Sequence, residues 1–275
     1  MSFEVIEQFI EGKESKDLCE DRIVLTKVVA GVIDGATSKS ALSFGAMRQG
    51  KIAGILLEEV INGLTGAEDA YIFVERANDR FCAFYREREL LAHMASNPVD
   101  RLNASVVLYH VTRQELWMIG DCQAICGDRP YKNPKLIDEV LANLRSFYIQ
   151  LALHQGATVE QLLQDDIGRR QILPHLKQQH AFQNNLPDSR FSYGTLDGFL
   201  QDKSKIKVYP ITDEEIILAS DGYPQLYPTL AQTEAHLQEV LAHDPLCYKL
   251  FLSTKGCKTG DHSFDDRAYL RIRMK

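Results

Sequence analysis

Carboxylates are the side chains of chemical promise in this sequence. Four acidic signals stand at the ends of β-rich runs: Glu20-Asp21, Asp34-Gly35, Asp221-Gly222 and Asp265-Asp266. They are scattered along the chain and can meet only by folding. Carboxylates gathered without His or Cys select hard cations such as Mg²⁺ or Mn²⁺, and crowded like charges are otherwise expensive. A glycine after the aspartate lets a backbone carbonyl approach as a further ligand. Any single Asp-Gly is an ordinary turn dipeptide. The ordered set is the specific signal, and Asp121 adds another acid where a strand ends.

Other chemistries find less support. The histidines His110, His175, His180 and His262 have no metal-ligand spacing and are read as ordinary residues. The six cysteines include no CxxC pair; Cys122 and Cys126 form a lone CxxxC, so zinc is disfavoured and reduced thiols are expected. No GxSxG elbow offers a serine nucleophile. The stretch VIDGATS suggests a phosphotransferase with Asp34 as nucleophile, but that chemistry wants a second Asp two residues on, and position 36 is alanine. Cys19 and Cys122 adjoin Glu20 and Asp121, which raises peroxide sensitivity as a further expectation, beside the alternative of inert thiols.

These acids need elements to carry them. Residues 22–34, RIVLTKVVAGVID, read as one strand delivering Asp34 to its end. Residues 39–62 and 67–95 carry apolar residues at helical spacing, and 103–128 reads as an antiparallel meander containing Asp121. Residues 134–180 return to helical patterns broken near Gly156 and Gly168. Residues 181–205, with Asn184, Asn185, Pro187 and Asp188, read as irregular surface chain suited to a flap. A strand at 214–220 ends in Asp221, a helix follows at 229–242, and 267–273 is a closing strand. Strands grouped between helical blocks indicate an α+β fold, and no linker divides the chain, so residues 1–275 form one domain with a variable insertion around 134–205.

Of 275 residues, 45% are hydrophobic, enough for a substantial core. Net charge is -7 with no Lys/Arg block, which argues against nucleic acid as a partner. No stretch approaches the roughly 18 uninterrupted apolar residues of a membrane helix, and none suits a signal peptide, so a cytoplasmic location is expected. Oligomeric state is left open.

Taken in order, CEDR at 19–22, GVIDG at 31–35, NASVVLYHV with WMIGDCQAI across 103–125, ILASDGY at 217–223 and FDDRAYLRI from 264 resemble the motifs of the type 2C-like, metal-dependent Ser/Thr phosphatase family. The resemblance implies a four-layer α-β-β-α sandwich with two antiparallel sheets and a site for two Mg²⁺ or Mn²⁺ ions. It implies that Asp34 bridges both ions, with the Gly35 carbonyl on one and Asp221 and Asp265 on the other. Asp21, beside Glu20, then faces the site directly or through water. Asp121 matches a turn that in bacterial relatives helps hold a weaker third ion; a plain hairpin Asp is the other reading. Lys16 takes the place of a phosphate-gripping Arg, as a point charge without the bidentate fork. The implied activity is hydrolysis of phosphate monoesters by metal-activated water, on phosphoserine or phosphothreonine in proteins, in the manner of bacterial signalling enzymes.

The chain departs from that pattern after Gly35, reading Ala36-Thr37-Ser38-Lys39-Ser40 where relatives have a Gly-rich turn, and at Pro224. Lys39 is read as a solvated lysine, with phosphate binding as the alternative. The altered turn and Lys16 motivate a second function, a pseudophosphatase serving as a regulatory or binding module on the same fold.

Overall fold

The computed structural model describes residues 2–185 and 188–275. Pro187, one of the turn residues noted above, lies outside the described residues. Ten strands form: β1 (Phe3–Glu11), β2 (Arg22–Leu25), β3 (Val29–Gly35), β4 (Ala104–His110), β5 (Glu115–Ile119), β6 (Gln123–Cys126), β7 (Arg129–Lys132), β8 (Lys207–Pro210), β9 (Glu215–Ala219) and β10 (Arg267–Met274). They make two antiparallel five-stranded sheets, in the orders β1-β10-β9-β6-β7 and β2-β3-β4-β5-β8. The helices are α1 (Gln49–Asn62), α2 (Ala70–Arg86), α3 (Leu91–Ser96), α4 (Leu136–His154), α5 (Val159–Gln164), α6 (Ile167–Gln178) and α7 (Leu230–His243).

Period-two alternation decides the layers. On β3, Ala30 and Val32 face the other sheet and meet Leu218 and Leu270 in a core between the sheets. Val29 and Ile33, on the opposite face, pack with Ile52, Leu57 and Phe73 of α1 and α2. Leu237 of α7 covers the outer face of the other sheet, against Ile217 and Tyr269. Each such apolar side chain contributes about 1.5–3 kcal/mol on full burial, so both helical layers are held by their sheet-facing stripes. The architecture is the α+β, four-layer α-β-β-α sandwich. Helices α4 and α6 stand beside it with their own smaller core, around Leu141, Ile172 and Leu176.

Local chemistry moves several predicted boundaries, while the breaks expected near Gly156 and Gly168 fall at 155–158 and 165–166. The run 22–34 is a hairpin, because the Thr26 hydroxyl accepts from the Val28 and Val29 backbone and turns the chain between β2 and β3. The first helix starts at Gln49 instead of residue 39. Ser38 and Ser40 hydroxyls accept from the Ser40 and Leu42 N–H groups, competing with helical bonding, and Gly45 sits at φ +91°. The second breaks into α2 and α3 where Glu89 adopts φ +57° and the Leu90 N–H closes back on the Tyr85 carbonyl. Gly168 lies in the first turn of α6, just after the break, where an added Cβ would come 2.7 Å from the Arg145 carbonyl oxygen. Strand β1 has no counterpart in the sequence reading; its pairing with β10 supplies it.

Described residues of the stretch 181–205 are tied to the body of the fold. Asp197 is fully buried and accepts from Arg101 at 2.9 Å, Gln183 at 2.7 Å and Asn184 at 2.7 Å. Gln183 in turn accepts from Asn103. A buried carboxylate with this many donors ties the stretch to the start of β4. Among the described residues no helix is long and apolar enough to cross a membrane.

Candidate active site

The acids converge where the two sheets end together. Asp34 has the parity of Ala30 and Val32, so it continues the inter-sheet face at the last turn of β3, opposite Ser105 of β4. Gly35 must be glycine: a Cβ there would strike the Gly50 backbone and lie 2.6 Å from the Glu20 carbonyl oxygen. Between β5 and β6, Gly120 at φ +86° turns the chain, and the Ser105 hydroxyl donates to Asp121 Oδ1 at 2.6 Å. Ser220 pairs with Ala268 through its N–H and accepts from the Ala268 N–H through its hydroxyl, which places Asp221 just beyond β9. One oxygen each from Asp34, Asp121 and Asp221 then lies within 4.8 Å of the others.

Asp21 is buried, and its Oδ2 has no hydrogen-bond partner among the described residues. Burial above all, then the neighbouring carboxylates, pushes Asp21, Asp34 and Asp221 well above the usual carboxylate range. Asp265 is buried beside two lysines: Lys13 lies 3.2 Å from Oδ1 and Lys255 pairs with Oδ2. Burial works against its charge, but these ammonium groups hold it below the ordinary value. Asp266 has a different task, its two oxygens accepting from the Lys13 N–H at 2.9 Å and the Glu20 N–H at 3.0 Å. The donor set suits a hard divalent cation: oxygens alone, charges that raise one another's pKa, and an orphaned buried Asp21 oxygen.

Two of the expected site residues are placed elsewhere. Glu20 turns to the start of α1, accepting from the Gly50 N–H at 3.0 Å and the Thr37 hydroxyl at 2.6 Å. It caps a helix whose own Arg48 makes no side-chain cap. Lys16 is exposed on a single 3-10 turn, Lys16–Leu18, outside the cavity. The lysine that reaches the acids is Lys13, because Asp266 grips its backbone and Asp265 its side chain. Lys135 is a further cation, 2.7 Å from Asp121 Oδ2. Burial opposes ionisation of Asp121, yet Lys135 and Ser105 hold it below its usual value. Sequence spacing carried no signal for Lys13, Lys135 or Lys255. Ser105 becomes visible once the β3–β4 register is known.

The acids line a cavity of about 940 Å³ walled on one side by α4 and α6. Arg145, wholly buried in α4, donates to Asp166 at 2.6 Å and to the carbonyls of Leu246 at 2.7 Å and Ser253 at 2.9 Å. Arg169 of α6 donates to the Thr254 carbonyl at 2.8 Å. Helices α4 and α6 thus set the loop that carries Lys255. None of the histidines lines the cavity among the described residues. Cys19 and Cys122 are buried; burial first pushes Cys19 up to about 12 and holds the Cys122 thiol well above its ordinary value.

No protein-family model matches the sequence, and no curated protein is similar to it by sequence. Solved structures are similar in fold. The Mycobacterium tuberculosis serine/threonine phosphatase PstP/Ppp superposes with a TM-score of 0.50 at 12% identity, covering 100% of each chain. The Staphylococcus aureus serine/threonine phosphatase Stp1 gives 0.49 at 11% identity, over 100% of this chain and 97% of that one. The catalytic domain of PstP in complex with two manganese ions gives 0.48 at 12%, over 98% and 97%. The fold is that of PstP/Ppp.

Proposed function

We propose that this chain is a cytoplasmic Mg²⁺- or Mn²⁺-dependent phosphatase that hydrolyses phosphate monoesters, with phosphoserine and phosphothreonine in proteins as substrates. The observation that carries the reading is the meeting of Asp34, Asp121 and Asp221 within 4.8 Å, without imidazole or thiolate, in a cavity lined by lysines. The fold shared with PstP/Ppp supports it.

In this reading Asp34, the Gly35 carbonyl, Asp221, Asp265 and Asp21 hold two cations, and Asp121 is the acid available to a third. Divalent cations bound by such carboxylates supply an activated water and neutralise phosphoryl charge. The remaining work falls to the chain itself. Lys13 and Lys255 bring ammonium charge to the edge of the cluster, where phosphoryl oxygens are gripped as by point charges. Ser105 orients the Asp121 carboxylate. Glu20 and Asp266 lock the N-terminal segment that carries Asp21. Cys257, the thiol lining the cavity, is raised by burial and by Asp261, so it is no ready nucleophile and water is the attacking group.

One observation favours the pseudophosphatase alternative: Asp265 and Asp121 are already neutralised by Lys13, Lys255 and Lys135. Assay of an aryl phosphate and a phosphopeptide panel with Mn²⁺, Mg²⁺ or chelator separates the two. Hydrolysis that needs added metal and stops on chelation is expected. Full activity in excess chelator overturns the metal-dependent reading, and metal binding without turnover favours the binding module.

A further inference from the structure

Not every cation in the cavity is engaged with the acids. Lys13, Lys255 and Lys135 pair with Asp265 and Asp121. Lys39 has neither a hydrogen bond nor an ion pair among the described residues, although it is partly buried in the cavity wall. Arg169 faces the same cavity from the first turn of α6. Its Nη1 is held by the Thr254 carbonyl, while Nε and Nη2 have no partner among the described residues.

Lys39 and Arg169 come from distant segments, the loop after β3 and helix α6, yet both line the one cavity. Burial, then Arg169, Lys255 and Lys135, lowers the Lys39 ammonium to about 8, with Asp138 opposing. Asp138 itself lies 4.0 Å from Lys135. Asp138 offsets part of the repulsion at Lys39, and Asp166, Asp265 and Asp138 do so at Arg169, but neither the Lys39 ammonium nor the Arg169 Nε and Nη2 groups are hydrogen-bonded to them among the described residues, and such donors on one cavity wall are a fitting receptor for an anion.

We propose that Lys39 and Arg169 form an anion subsite beside the metal cluster, which takes a second acidic group of the substrate, a carboxylate or a further phosphate. The proposal rests on the phosphatase reading, because the first acidic group is the phosphate undergoing hydrolysis. The substrate class it names is a phosphopeptide whose phosphoresidue has acidic neighbours. Arg169 is anchored to the loop of Lys255, so the subsite and the cluster are held in fixed relation by the insertion.

The test compares the Mn²⁺-supplemented protein with Lys39→Gln and Lys39→Arg. The substrates are phosphoserine peptides of one length flanked by glutamate, by glutamine or by a second phosphoserine. The wild type is expected to prefer the acidic peptides. Lys39→Gln should lower the ratio of kcat/KM, acidic over neutral, by about tenfold and through KM, the loss of one charge-assisted contact. Lys39→Arg should restore the ratio. An unchanged ratio overturns the subsite, and so does an equal loss on every peptide, which would place Lys39 on the phosphate being hydrolysed. The glutamate and double-phosphate arms show which anion is preferred. If no peptide is turned over, the phosphatase reading fails, and anisotropy of a fluorescent acidic phosphopeptide decides the subsite separately. Binding about tenfold weaker in Lys39→Gln supports it, and equal binding overturns it.

Discussion

Asp265 and Asp266 are neighbours in sequence with different surroundings. Asp265 faces Lys13 and Lys255 at the edge of the acid cluster, whereas Asp266 spends both oxygens on backbone N–H groups of residues 13 and 20. Removing a carboxylate that holds a cation lowers metal affinity and rate together. Removing one that satisfies buried N–H groups lowers stability. Asp265→Ala is therefore expected to lose on the order of a hundredfold or more in rate at any reachable metal concentration. Asp266→Ala should remain active but lose about 1–3 kcal/mol of stability. Metal titration of turnover together with thermal melts checks the pair, and the reverse ranking would exchange the two roles.

At the scale of elements, helices α4–α6 are fastened to the rest of the fold by Arg145. Its guanidinium fills a buried junction, and Gly256 packs so closely that an added Cβ would lie 2.7 Å from Nη2. Arg145→Ala leaves Asp166 Oδ2 without its guanidinium partner and takes a donor from the Leu246, Cys247 and Ser253 carbonyls, of which Cys247 keeps the Ser253 N–H. A broken buried pair costs about 3 kcal/mol, which for a chain of this size lowers Tm by on the order of 10 °C. Because Arg145 holds the loop of Lys255, activity should fall further than in Lys255→Ala alone. Calorimetry and the aryl phosphate assay read the two effects, and an unaltered Tm would show that α4–α6 are fastened by other contacts.

For the whole molecule, the buried polar cluster under 181–205 makes stability depend on pH. His180 is buried, with Nδ1 2.7 Å from the Gln183 amide oxygen and Nε2 without a partner among the described residues. Burial, and then Lys39, lowers it from 6.5 to about 4. The unfolded chain takes up a proton below 6.5 while the folded chain stays neutral, so this contribution is intact above pH 6.5 and is lost as pH falls toward about 4. Denaturant midpoints at pH 7.5 and pH 5 should separate more in the wild type than in His180→Asn, whose side chain has no proton to gain over this range. Equal separations would remove His180 from the acid response.

The sequence by itself determined the kind of chemistry and the kind of fold. Acids at strand ends with no His or Cys beside them restrict the site to oxygen ligands, because side-chain chemistry is local and needs no coordinates. Alternation and helical spacing in β3, β4, β9, α1 and α7 set the α+β class, since those periods are properties of the backbone. Boundaries were legible less often: the serine-rich run 36–48 trades helix for local hydroxyl bonds, and β1 is a strand because β10 pairs with it. The placement of cations was decided only by the tertiary structure. Lys13, and not Lys16, reaches Asp265 because Asp266, more than 250 residues away in sequence, accepts its N–H. Lys39 and Arg169 share a cavity wall only because α6 and the loop after β3 close on the same space. Charge pairing depends on distance in space, and spacing along the chain does not specify that distance until the sheets have closed.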